Sequence, residues 1–106
     1  MRHIEADLRV LLVRRRLPLE PPVARMPRQW ARRVMLTPVL AIGMTMSSSG
    51  DDDTPPFAGF RIDRMHQDVA TGIIDLIMVE ECEDYEHVMQ REEYWREAGW
   101  QSTSGA

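Results

Sequence analysis

Lysine is absent from this chain of 106 residues, and all thirteen of its basic side chains are arginine. Arginine codons are GC-rich and lysine codons are not, so a GC-rich coding sequence accounts for this bias. The alternative is selection for the guanidinium fork, which grips phosphate and carboxylate bidentately. Arginine is scattered along the chain rather than gathered in one patch, which favours the first explanation. Cysteine is nearly absent. Cys82 alone excludes an internal disulfide framework and an all-cysteine zinc site. No glycine-rich phosphate loop, nucleophile-elbow serine or His-Glu metalloprotease motif occurs, so the usual enzyme signatures are missing and the chain reads as non-enzymatic. Long apolar runs are missing too. The longest, residues 34–46, reaches roughly 20 Å as a helix against a hydrocarbon core of roughly 30 Å.

Charge is abundant and divided. Residues 1–50 hold nine arginines and three acids, a net of +6, whereas residues 51–106 hold four arginines and fourteen acids, a net of −10. Two ends so charged prefer different surroundings. Between them lies SSSGDDDTPP (residues 47–56), whose serines, like charges and prolines bury too little to offset ordering entropy, so it reads as a flexible acidic linker.

Ahead of that linker, Ile4, Leu8, Leu11 and Leu12 fall at helical spacing, which predicts a short amphipathic helix over 3–16 ended by Pro18, Pro21 and Pro22. A second short helix is predicted from Pro27 through Trp30, Arg32 and Arg33. Beyond the linker, alternation around Phe60–Met65 predicts a strand. Asp68-Val69-Ala70-Thr71-Gly72 predicts a turn, because Asp caps its own loop and glycine accepts positive φ. The β-branched run Ile73–Val79 predicts a returning strand, and residues 83–98 a helix that exits at Gly99. The expected fold is therefore α+β. A small ββα module (57–100) would carry a basic, partly helical N-terminal arm (1–46), the linker 47–56 and a disordered tail (101–106). The competing reading is all-α, with one long helix over 62–98 that places Gly72 mid-helix at roughly 1 kcal/mol against alanine.

Cys82, Glu83, Glu86, His87 and His66 are the residues with metal-ligand chemistry, and Glu83 and His87 lie four apart. Zinc sites take three or four paired ligands, and no such spacing is present, so no metal or cofactor is expected. The remaining candidates are contacts. Arg14, Arg15, Arg16, Arg28, Arg32 and Arg33 are candidates for an anionic surface, and Trp30 and Trp100 for interface anchors. No DNA-reading motif frames the arginines, so sequence-specific nucleic-acid binding is not expected. The reading is a small interaction protein or assembly subunit. Its basic arm docks on an anionic surface (an acidic protein, a membrane or a nucleic-acid backbone) and its acidic module binds a protein. Two alternatives stand beside it: a membrane-tethered accessory subunit inserting residues 34–50, and an acidic inhibitor that mimics nucleic-acid charge.

Overall fold

A computed structural model describes residues 3–15, 28–37 and 40–103. About half of these residues lie in strands, arranged as seven strands in two sheets beside a single helix. The elements run β1 (Ile4–Arg14), β2 (Arg28–Leu36), β3 (Thr45–Ser48), β4 (Phe57–Arg61), β5 (Arg64–Gln67), β6 (Ile74–Cys82), α1 (Tyr85–Glu97) and β7 (Gln101–Ser102). The main sheet has the order β5-β6-β1-β2-β7, and β3 pairs with β4 in a separate two-stranded sheet.

This excludes the all-α reading and corrects the α+β reading in part: the C-terminal half does form strands and one helix, but within a mostly β structure that includes the N-terminal segments. The N-terminal segments are strands of the main sheet, not helices of an arm. β1 reads apolar at every second position (Ile4, Ala6, Leu8, Val10, Leu12), and that period of two buries Ala6, Leu8, Val10 and Leu12 on one face. Helical spacing accounted for Leu11 as well, but Leu11 is only half-buried, on the other face. β2 repeats the pattern with Trp30, Val34 and Leu36. β1 pairs antiparallel with β2 and parallel with β6, in the registers Leu8↔Arg32 and Leu8↔Leu76. The C-terminal β5–β6 hairpin therefore belongs to the same sheet as the N-terminal strands, and α1 packs against both. The single long helix is excluded because Asp68 and Gly72 close a turn. The Asp68 carboxylate accepts from Ala70 N–H at 2.8 Å, and Gly72 sits at φ 75°.

One face of the sheet is covered. α1 crosses β1, β2 and β6 and buries Val88, Trp95 and Ala98 among Leu8, Val10, Leu76 and Met78. The β3–β4 hairpin adds Phe57, Phe60 and Ile62. The helix ends in a Schellman arrangement, with Gly99 N–H donating to Arg96 C=O and Trp100 N–H to Trp95 C=O. Its accompanying apolar contact is Trp95 against Trp100, with ring centroids 4.5 Å apart. Gly99 is required here twice over: its φ is 83°, and a Cβ would sit 3.0 Å from Pro55 Cδ.

The expected flexible linker is an ordered turn. The Asp51 carboxylate accepts from the amides of Asp53 and Thr54 and from the Thr54 hydroxyl at 2.8–2.9 Å. Arg32 donates to Pro55 C=O at 2.9 Å and to Ala98 C=O at 3.1 Å, tying this turn to the helix end. Of the expected disordered tail, Gln101 and Ser102 pair with β2 and residues 104–106 lie outside the described set. Within residues 34–50, 34–36 finish β2, Ile42 and Gly43 form a turn and 45–48 form β3. No helix among the described residues is long and apolar enough to cross a membrane.

Leu8→Ala, on the covered face, is expected to lower the unfolding free energy by about 2–5 kcal/mol. Leu11→Ala, on the opposite face of the same strand, is expected to lower it by only about 1 kcal/mol in dilute solution. Urea denaturation with equal losses for the two would contradict this assignment of faces.

Candidate functional site

Strand alternation places the odd-numbered residues of β1 and β6 on the face away from the helix. The parallel register sets Asp7 beside Asp75, Arg9 beside Ile77, Leu11 beside Val79 and Val13 beside Glu81. On the other flank β2 contributes Met35, Arg33, Ala31 and Gln29 opposite Glu5, Asp7, Arg9 and Leu11. β5 adds Arg64 beside Ile77 and His66 beside Asp75. Among the described residues α1 and the β3–β4 hairpin both pack on the opposite face. The face therefore has an apolar strip (Leu11, Val13, Ile77, Val79), each residue half-buried, and a charged end.

The charged end is a ladder of ion pairs. Arg33 donates to both oxygens of Asp7 and, at 3.4 Å, to Glu5. Its guanidinium is held above its usual value by that hydrogen bond to Asp7 and by the charge of Asp7. Arg9 bridges Asp7 at 3.5 Å and Asp75 at 3.4 Å. Asp7, Arg9, Ala31, Arg32, Arg33, Gln101 and Thr103 line a shallow groove of about 330 Å³. Arg9 and Arg33 are matched there by carboxylates, and Arg32 is spent on the carbonyls of Pro55 and Ala98.

The β6 border of this face is sealed by side chains. β5 begins at Arg64, opposite Ile77, so β6 runs on past its partner strand. Val79 N–H donates to Asp63 Oδ2 at 2.9 Å, and Arg61 donates to Val79 C=O at 3.4 Å. Arg61 also grips Asp63 bidentately at 2.7 and 3.1 Å. Two side chains thus take the place of a missing strand, a device that blocks edge-to-edge pairing. The Arg61 hydrogen bond, then the Val79 amide, holds the Asp63 carboxyl below the usual carboxylate range.

The residues singled out from sequence are dispersed. Arg14 lies over the Tyr85 ring at 4.8 Å, and Arg15 donates its amide to Cys82 C=O at 2.7 Å. Arg28 is exposed at the start of β2, and Arg16 falls outside the described residues. Arg32 stacks over Phe57 at 5.2 Å and caps backbone carbonyls, while Arg33 belongs to the ladder. These six do not converge on one anion-binding surface. Trp30 and Trp100 are corrected outright. They are only 4% and 2% exposed, and Trp30 Nε1–H donates to Glu92 at 3.0 Å, so both are core residues rather than surface anchors.

The metal-ligand types are not gathered either. Cys82 is fully buried and burial pushes its thiol up. His87 Nδ1 accepts from Glu83 N–H at 3.2 Å in the helix cap, and His66 is exposed on β5. Among the described residues no group of three His, Cys, Asp or Glu side chains is placed to hold a metal ion. The acids of α1 do form a surface. Glu86, Glu93 and Glu97 are exposed alongside Tyr85 and Met89, one turn apart and 59% and 67% exposed. Glu80 is drawn inward, bound bidentately by Arg91 at 2.6 and 3.0 Å.

The apolar strip was missed as a site, though its signal was present. From Ile73 to Val79 only Asp75 is polar, and a strand apolar at both parities has two faces to cover. Comparison of the chain with protein-family models, with curated proteins and with solved structures returns no match.

Because Asp63 has a depressed folded-state value, its contribution is present above the unfolded carboxyl value of about 3.9 and is lost as pH falls through the folded value. Urea midpoints measured from neutral pH downward are expected to fall more shallowly below pH about 4 for Asp63→Asn than for the wild type. The variant is also expected to be weaker by roughly 1 kcal/mol at neutral pH. Parallel curves in acid would remove Asp63 from this role.

Proposed function

We propose that the chain is a non-enzymatic assembly subunit that docks through the face of its five-stranded sheet that the described elements leave open. One observation carries this reading. The two central strands put Leu11, Val13, Ile77 and Val79 on a face that no element of the described residues covers. Sheets with one wet face normally alternate apolar-in and polar-out, so an apolar strip on the second face calls for a covering layer. The ion-pair ladder beside it supplies orientation more than strength, since exposed pairs contribute roughly 0–1 kcal/mol each.

The non-enzymatic part is supported by the roles of the titratable groups. Asp63 serves in a salt bridge and an edge cap, Asp51 in a turn and Cys82 in the core. None has the nucleophile-and-base arrangement of covalent catalysis. Among the described residues Arg9, Arg14, Arg32 and Arg33 of the N-terminal half are used within the fold, so docking passes from a basic arm to the sheet. The acidic surface around Tyr85 and Met89 lies on the helix side, where it is available to a basic protein at the same time.

Size-exclusion chromatography of extracts from the native source tests the reading. The wild-type chain is expected in a particle heavier than its own 12.3 kDa. The double variant Leu11→Glu, Val79→Arg, whose new charges stand side by side and pair across the strands, is expected at the free mass. Glu86→Gln with Glu93→Gln on the helix side serves as the control and is expected to leave the particle intact. Loss of the particle only in the control variant would move the docking surface to the helix.

A further inference from the structure

We propose that the occupant of the sheet face left open by the described residues is a second copy of this chain, packed sheet against sheet in a two-fold pair. The inference rests on the docking reading above and adds its partner. Charge balance argues for it. By register the face carries Glu5, Asp7, Asp75 and Glu81 against Arg9, Arg33 and Arg64, a near balance within a chain whose formal charge is −4. On the helix side Glu93 is paired with Arg96, but Glu83, Glu86 and Glu97 are exposed as well, and that excess of acids repels its own kind. Two copies therefore meet with least repulsion through the sheet, and the pairing points both acidic helix sides outward.

Shape and size agree. The strip occupies adjacent central strands, so a two-fold axis through it lays one strip on the other, as an isologous contact requires. The sealed border formed by Arg61 and Asp63 directs association to the face rather than the β6 edge. With about 3.3 Å per residue and about 4.8 Å between strands, the face measures roughly 30 by 19 Å, or about 570 Å². Two such faces bury about 1,100 Å², just under the range of about 1,200–2,000 Å² for stable interfaces. The pair is therefore a weak, concentration-dependent dimer. Because its core is apolar and the charge to be screened is repulsive, added salt tightens it.

Sedimentation equilibrium of the purified full chain, from dilute to concentrated solution and at low and high salt, tests this. The wild type is expected to rise from 12.3 kDa toward twice that mass, more readily at high salt. Leu11→Glu with Val79→Arg is expected to stay at the single mass while keeping its circular dichroism. The milder pair Leu11→Thr with Val79→Thr serves if the charged pair does not fold, with the same expectation. A wild type that stays at one mass throughout, a variant that dimerises like the wild type, or a dimer dissolved by salt would overturn the inference. If the purified chain is monomeric but the native particle is still lost in the variant, the second copy is the wrong occupant and the docking face stands. If the native particle also survives the variant, both readings fall.

Discussion

The parallel pairing of β1 with β6 is the constraint on which the rest of this structure depends. It joins strands from opposite ends of the chain, in register from Ala6↔Ile74 to Arg14↔Cys82. The other elements build outward from that pair: β2 on one flank with β7 beyond it, β5 on the other, α1 and the β3–β4 hairpin across one face. Closing so long a loop is entropically unfavourable and is offset only when the buried side chains of both strands meet. Ala6, Leu8, Val10 and Leu12 meet Leu76, Met78 and Cys82 beneath Trp95, and all are at most 3% exposed. A small chain thereby builds a single core that neither half has the apolar residues to build alone.

The same pairing explains what becomes of the charge division. Apart in sequence, the basic and acidic halves look like two bodies. In the fold they meet: Arg9 with Asp75, Arg14 over Tyr85, Trp30 with Glu92, Arg32 on the carbonyls of Pro55 and Ala98. Among the described residues Arg9, Arg14, Arg32 and Arg33 are engaged within the molecule, while Glu83, Glu86 and Glu97 are exposed on the helix side. The sheet face that no described element covers is close to neutral and apolar at its centre, which is why we propose it for association.

Much of the C-terminal half was legible from local chemistry. Asp68 and Gly72 specify their turn, Asp84 accepts from His87 N–H at the helix start, and Gly99 ends the helix where a left-handed residue is needed. These signals are short-range, so they survive without knowledge of the partners. The N-terminal half was misread because its leucines satisfy two periods at once. Leu8, Leu11 and Leu12 suit a helix, while Ile4, Ala6, Leu8, Val10 and Leu12 suit a strand, and only the tertiary partner decides between them. Trp30 and Trp100 looked like surface anchors for the same reason: their neighbours in the core come from distant segments. Residues 47–56 looked unstructured although Asp51 caps their turn locally, because Arg32, which ties that turn to the helix end, lies far off in sequence.

Hydrogen–deuterium exchange along the chain tests the central pairing most directly. Amides of Leu8, Val10 and Leu12 are predicted to exchange as slowly as those of Leu76 and Met78, and to open with them in one cooperative unit. Protection confined to residues 57–100, with residues 4–14 exchanging at the rate of an unfolded chain, would contradict it.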